Sequence, residues 1–223
     1  MTIDNVWMIQ IPDNEVSQHY ANFTRPTWEN YGFDVNMFNA VTPKTLKKHI
    51  PIDSYHGTRP LSDTLMACWE SHYSLWEKCY NEGNPITIIE HDTVCLTDDM
   101  PIIADFFQIT DFENEEQCHN YTERFKGHPY WGHLSTCPTT SGYYMTPDWS
   151  ETILEYMHSR IHQKYVDDIL CDFMQYENSK KETRSLQWNI KLKWYKSLDK
   201  SKITCYTRPV YDREIGGTCE HGF

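Results

Sequence analysis

Two carboxylates flank an imidazole at Glu90, His91 and Asp92, directly after the apolar run Ile86-Thr87-Ile88-Ile89. Acids spaced one residue apart offer hard oxygen ligands to a divalent ion, with manganese or magnesium the best suited. Such an ion can bridge the phosphates of a nucleoside diphosphate and neutralise the charge that develops as the diphosphate leaves a sugar. His91 is open to three readings: a metal ligand, a proton-transfer group, or a side chain facing away from the ion. Two acids near a strand end also describe a solvated rim, so the weight of the triplet depends on what positions it.

The elements before it position it well. Val6-Trp7-Met8-Ile9-Gln10-Ile11, closed by Pro12-Asp13, reads as a first buried strand. The polar stretch up to Asn30 is expected to hold a helix interrupted near Pro26, and the alternation from Gly32 to Phe38 a second strand. Residues 43 to 60, with Pro43, Pro51, Gly57 and Pro60, read as a loop. Leu65, Trp69, His72, Trp76 and Cys79 then recur at helical spacing, with Ser62 or Asp63 as cap and Gly83 as terminator. On that stripe His72 is either a satisfied buried histidine orienting Ser71 and the strand end, or a contact to a bound phosphate.

Continuous apolar strands following helices indicate an α/β fold with a mostly parallel sheet covered on both faces. Ligands of such sheets bind beyond the carboxyl ends of the strands, where Glu90, His91 and Asp92 fall. Further along, Thr97 to Gln108 is expected to be helical, residues 110 to 142 turn-rich, and Tyr143-Tyr144-Met145 a strand. A helix capped by Thr146, with Pro147 in its first position, should follow, and another over about 161 to 176.

The stretch Ala67-Cys68-Trp69-Glu70-Ser71-His72-Tyr73-Ser74-Leu75-Trp76, leading through Pro85 to Glu90-His91-Asp92, resembles glycosyltransferase family 25. That family includes bacterial lipooligosaccharide and collagen galactosyltransferases, and its hallmark is S-H-x-x-x-W on a helix, a turn with a proline, and an apolar strand ending E-D-D. Met37-Phe38-Asn39-Ala40-Val41 is similar to its F-D-A-V element, and Thr140-Ser141-Gly142-Tyr143-Tyr144-Met145 to its G-x-x-G-Y-x-x-S segment. The resemblance spans most of residues 5 to 175, with the specific part at 65 to 92. It implies a GT-A type, Rossmann-like sandwich and an inverting displacement at the anomeric carbon of a UDP-sugar. Carried onto this sequence, it implies Asp92 as metal ligand, with Glu90 supporting metal or ribose, His91 in the place of the middle acid, and Ala40, Val41, Ser71 and His72 near the donor. His162-Gln163-Lys164-Tyr165-Val166-Asp167-Asp168 looks like the family's H-P-V-D element without its proline, so Asp167 or Asp168 is the base or an acceptor ligand, or else part of a solvated helix face. The family's D-x-x-R pattern after the first strand has no arginine here, in Asp13-Asn14-Glu15-Val16-Ser17-Gln18, so donor contacts differ there or Arg25 supplies them.

Composition bounds the rest. At 223 residues the expectation is a single domain over 1–223. No basic leader opens the chain and no apolar run is long enough to span a bilayer, so the expected location is cytoplasmic. The eight cysteines have no metal-site spacing and read as reduced thiols. The net charge of −12 averages two regions: residues 178–213 carry ten Lys or Arg against three acids, residues 1–177 ten against 27. In the basic segment Trp188, Trp194, Tyr195, Tyr206 and Tyr211 interleave with the charges, as on a surface for a polyanion or on a solvated helix with aromatics packed inward. The acceptor this suggests is a hydroxymethylated base, 5-hydroxymethylcytosine, of phage DNA. Lipooligosaccharide is the alternative acceptor, and a nucleotide-sugar or glycan binding protein without catalysis the alternative class.

Overall fold

The computed structural model describes residues 3–47, 55, 56, 59, 60, 62–95, 105–109, 140, 142–158, 166, 170 and 207–209. Along the chain these form β1 (Val6–Gln10), α1 (Glu15–Asn30), β2 (Val35–Asn39), β3 (Tyr55–His56), β4 (Arg59–Pro60) and α2 (Asp63–Glu82). There follow β5 (Ile86–Glu90), β6 (Thr93–Cys95), β7 (Phe106–Gln108), β8 (Gly142–Met145), α3 (Pro147–His158) and β9 (Thr207–Pro209).

The central sheet has five strands in the order β2-β1-β5-β8-β7. β1 pairs parallel with both β2 and β5, while β8 lies antiparallel between β5 and β7. Four strands therefore run one way and β8 alone runs back, giving the mostly parallel, open α/β sheet of a GT-A-like, Rossmann-type fold. β5 is buried through its first four residues, as a strand covered on both faces must be.

Alternation along the strands sorts the core into two layers. Ile9, Ile86, Ile88, Tyr143 and Met145 face Trp69, Trp76, Ile153 and Met157 of α2 and α3. Val6, Met8, Ile89 and Tyr144 face Ala21 and Trp28 of α1. The β1-to-β2 crossover thus lies on one face and the helix leading into β5 on the other, so the strand order reverses between β1 and β5. In sheets of this kind ligands bind beyond the carboxyl ends of the strands at such a reversal.

Local chemistry accounts for the helix ends. The Asn14 side chain accepts from the Ser17 amide at 2.8 Å and the Ser62 hydroxyl from the Leu65 amide at 3.3 Å. Gly83 closes α2 at φ +66°, the left-handed conformation that glycine adopts without a side-chain penalty.

Four expectations change. α1 is continuous through Pro26, because its far half is tied into the tertiary structure by Thr27 and Trp28. The loop over 43–60 contains a short antiparallel pair, β3 with β4. The helix expected over 97–108 ends instead in strand β7, whose β-prone Phe106-Phe107 extends the sheet beside β8; residues 96–104 lie outside the described residues. Thr146 does not cap α3 through its side chain, since its buried hydroxyl has no hydrogen-bond partner among the described residues. Pro147 starts that helix with no N–H to satisfy. Of the helix expected over 161–176, Val166 and Leu170 are described, both helical and buried in the core.

Candidate active site

Glu90 is the last residue of β5, in register with Ile9 of β1. The triplet therefore stands at the carboxyl end of β5, where the strand order reverses. Three residues of one face of α1 hold the backbone that carries it. The Thr24 hydroxyl donates to the His91 carbonyl at 2.5 Å, the Trp28 indole to the Thr93 carbonyl at 2.8 Å, and the Cys95 amide donates to the Thr27 hydroxyl at 2.9 Å. Spacings of three and four put these side chains on one helical stripe.

Glu90 is held from two sides. The Thr140 hydroxyl donates to its Oε1, and His72 Nε2 stands 3.5 Å from the same oxygen. Burial alone would raise its pKa, but the His72 contact, the Thr140 hydroxyl and the nearby His91 outweigh that and hold Glu90 below the usual glutamate value. Asp92 is pushed the other way, up to about 7, first by burial and then by the charge of Glu90. Its Oδ1 is buried with no hydrogen-bond partner among the described residues. A buried carboxylate oxygen left over in this way is costly unless something else meets it.

His91 is buried, and its ring bonds the Ile9 backbone and packs 6.2 Å, centroid to centroid, from Tyr20. Burial lowers its pKa, which keeps the ring neutral. The ring is thereby tied to β1 and α1.

α2 organises the opposite rim. Ser71 Oγ accepts from the Val41 amide at 2.9 Å while donating to the Ala67 carbonyl at 2.8 Å, and the Ala40 amide donates to the Gln10 carbonyl at 2.8 Å. The carboxylate of buried Glu70 accepts from the Lys47 amide at 3.0 and 3.3 Å. His72, 1% exposed, bonds the Tyr143 hydroxyl at 2.8 Å through Nδ1. Ala40, Val41, Ser71, His72, Glu90, His91 and Asp92 are thus all placed around the ends of β1, β2 and β5. Arg25, by contrast, pairs with Glu29 at 2.6 Å on the exposed side of α1. Asp167 and Asp168 lie outside the described residues.

Thr140 and Tyr143 emerge as site residues that the sequence did not single out. The signal was the antiparallel direction of β8, which sets Gly142 opposite Ile89 and brings the start of β8 over the end of β5. Periodicity carries no information on strand direction, although both residues lie in the segment similar to G-x-x-G-Y-x-x-S.

Three facing carboxylate, imidazole or thiolate groups in metal-binding arrangement are not found among the described residues. Two carboxylates with an orphan oxygen still fit a divalent ion of the manganese or magnesium type, which draws much of its coordination from phosphate and water. No helix among the described residues is long and apolar enough to cross a membrane.

A model described as glycosyltransferase family 25 (LPS biosynthesis protein) matches residues 18–128. That range contains most of α1, and all of β2, α2, β5 and the triplet. No curated protein matches the chain. Among solved structures, the apo crystal structure of mouse xyloside xylosyltransferase 1 is similar with a TM-score of 0.42 and 10% identity over 99% of each chain.

Proposed function

We infer that this chain, whose residues 18–128 belong to glycosyltransferase family 25, moves a sugar from a UDP-sugar to a hydroxyl on a polyanionic acceptor, with inversion at the anomeric carbon. The observation that carries the reading is Asp92 Oδ1, buried just beyond the carboxyl end of β5 with no hydrogen-bond partner among the described residues, beside a Glu90 that is already held in place.

Asp92 and Glu90 would hold the divalent ion, and His91 would fix the backbone between them from the β1 side. The ion would supply charge neutralisation for the departing diphosphate. The chain's own residues do the positioning. Thr24, Thr27 and Trp28 hold the turn that carries Asp92. Ser71 fixes Val41, and with it the segment after β2 where the donor's nucleoside would lie. Asp167 or Asp168 would take the acceptor proton, a role worth typically about 10²- to 10⁴-fold in rate.

For the acceptor, the basic and aromatic composition of residues 178–213 favours DNA bearing 5-hydroxymethylcytosine, whose base would be flipped out for reaction. Lipooligosaccharide is the second reading, favoured by the matched family's description as an LPS biosynthesis protein. One matrix tests both: labelled UDP-glucose, UDP-galactose and UDP-arabinose with manganese, against hydroxymethylcytosine DNA, unmodified DNA and lipooligosaccharide. Label entering DNA only when the hydroxymethyl group is present supports the first; label on lipooligosaccharide alone supports the second. Label on neither polymer discards both acceptors. No consumption of any donor, with Asp92→Asn indistinguishable from the native chain, removes the donor and metal reading.

A further inference from the structure

Resting on the donor-site reading just given, we propose that Glu70 is a positioning residue for the donor nucleoside: from within α2 it holds the amide of Lys47, and together with Ser71 it sets residues 41–47 as a preformed rim of the site.

Residues 41–47 follow β2 at the carboxyl edge of the sheet, the edge at which ligands of such sheets bind. The Ala40 amide carries the β1–β2 ladder one step further by donating to the Gln10 carbonyl at 2.8 Å. Beyond it the chain folds on itself. The Thr45 amide donates to the Thr42 carbonyl at 2.9 Å across Pro43 and Lys44, a β-turn with proline in the position that its fixed φ suits. The Thr42 amide donates to the Thr45 hydroxyl at 2.9 Å and locks the same turn through a side chain.

Two consecutive residues of α2 tie this block down at its two ends. Ser71 Oγ accepts from the Val41 amide at 2.9 Å, and both oxygens of the Glu70 carboxyl group reach the Lys47 amide, at 3.0 and 3.3 Å. Glu70 is 1% exposed, and a carboxyl group that deep is costly unless polar groups meet it. Lys47 itself is exposed. Without Glu70 its amide would turn to water, and the far end of the segment would be free to leave α2. The nucleoside would then bind only those molecules in which the segment is in place, so the apparent affinity falls with that fraction. The net worth of one hydrogen bond typically changes such a fraction by about 2- to 10-fold.

Two measurements on the full chain test this: UDP binding in the presence of Mn²⁺ by calorimetry, and amide hydrogen exchange read residue by residue with and without UDP. Glu70→Leu removes the acceptor and keeps a side chain that α2 can pack. It is expected to weaken UDP binding about 2- to 10-fold, and to speed exchange at Lys47 and its neighbours in 41–47 while α2 and β5 keep their protection. Glu70→Gln, which keeps an acceptor oxygen, should bind UDP more tightly than Glu70→Leu. In the native chain, UDP with Mn²⁺ should slow exchange further in residues 41–47. Exchange that quickens through α2 and β5 as well assigns Glu70 to general packing and sinks the idea. If Glu70→Leu does not fold, Lys47→Pro, which removes the donated N–H from the exposed side, is compared with Lys47→Ala, which retains it; equal UDP affinity of those two overturns the proposal. Native protein that binds UDP, with Glu70→Leu binding it equally well after Lys47 has lost its protection, defeats this inference alone; native protein that binds no UDP defeats the donor-site reading on which it rests.

Discussion

Asp92 is an acid in an environment that penalises its charge, and the penalty has a pH signature. Its folded pKa, about 7, lies above the ordinary aspartate value near 3.8, so ionisation is easier in the unfolded chain. Its contribution to stability is full below pH 4 and is lost as the pH rises through 7. Asp92→Asn removes that titration. The variant is expected to match the native protein near pH 4 and to exceed it increasingly up to pH 7, by on the order of a few kcal/mol. Thermal melts of both proteins at several pH values, without divalent ion, check this. The same substitution should reduce manganese-dependent consumption of UDP-sugar by on the order of a hundredfold or more, if Asp92 supplies the metal contact. A variant that is more stable and inactive is what a strained functional carboxylate requires; one less stable at pH 8 would contradict the burial argument.

At the scale of the element, α1 combines a local defect with a tertiary anchor. Pro26 has no N–H to give the Asn22 carbonyl one turn back, and an interior proline costs a helix about 3 kcal/mol. Part of that returns through the stiffer unfolded chain. Pro26→Ala is accordingly expected to stabilise the protein by about 1 to 2 kcal/mol, read as a higher urea midpoint with unchanged slope. The anchor predicts the opposite sign. Thr24→Val keeps the shape of the side chain but leaves the buried His91 carbonyl without its donor, a loss of about 1 to 3 kcal/mol. Because that carbonyl sits between Glu90 and Asp92, UDP affinity with Mn²⁺ should fall as well. In α2, Gly83→Ala should cost about 1 kcal/mol through backbone strain alone, since its φ is +66° and an added Cβ meets nothing within 4 Å.

Across the whole molecule, one short strand of the basic region reaches the neighbourhood of the site. β9, from within the basic segment, pairs antiparallel with β6, and Arg208 stands in register with Val94, two residues beyond Asp92. Three residues of that segment, Thr207–Pro209, are thus paired to the strand that follows the triplet, beside the proposed donor site. A ligand that binds there and only in the folded state must stabilise the fold as a unit. With Mn²⁺ and UDP at one hundred times the dissociation constant, the gain is about 2.7 kcal/mol. For a chain of this size that is a rise of about 5 to 10 °C in melting temperature. Melts with Mn²⁺ alone, UDP alone and both together check it, and Asp92→Asn should lose the joint effect.

From the residues alone, β1, β2, α2, β5, α3 and the place of Glu90, His91 and Asp92 at a strand end could be read, because each is a local matter. Apolar runs of strand length, helical spacing from Trp69 to Cys79, Ser62 before a helix and Gly83 after it act within a few residues of one another. Only the tertiary structure decided the continuity of α1 through Pro26, the strand at Phe106–Gln108, and the antiparallel course of β8. Distant partners decide these: Thr93 and Cys95 for α1, β8 for the strand at Phe106–Gln108, and the β5 edge for β8. The same division runs through the triplet. That two acids flank a histidine is written in the chain. That Glu90 is held by His72 and Thr140, that His91 turns to Ile9, and that Asp92 keeps a buried oxygen unmatched among the described residues are consequences of sheet order and burial, which fix the local dielectric and the partners within reach.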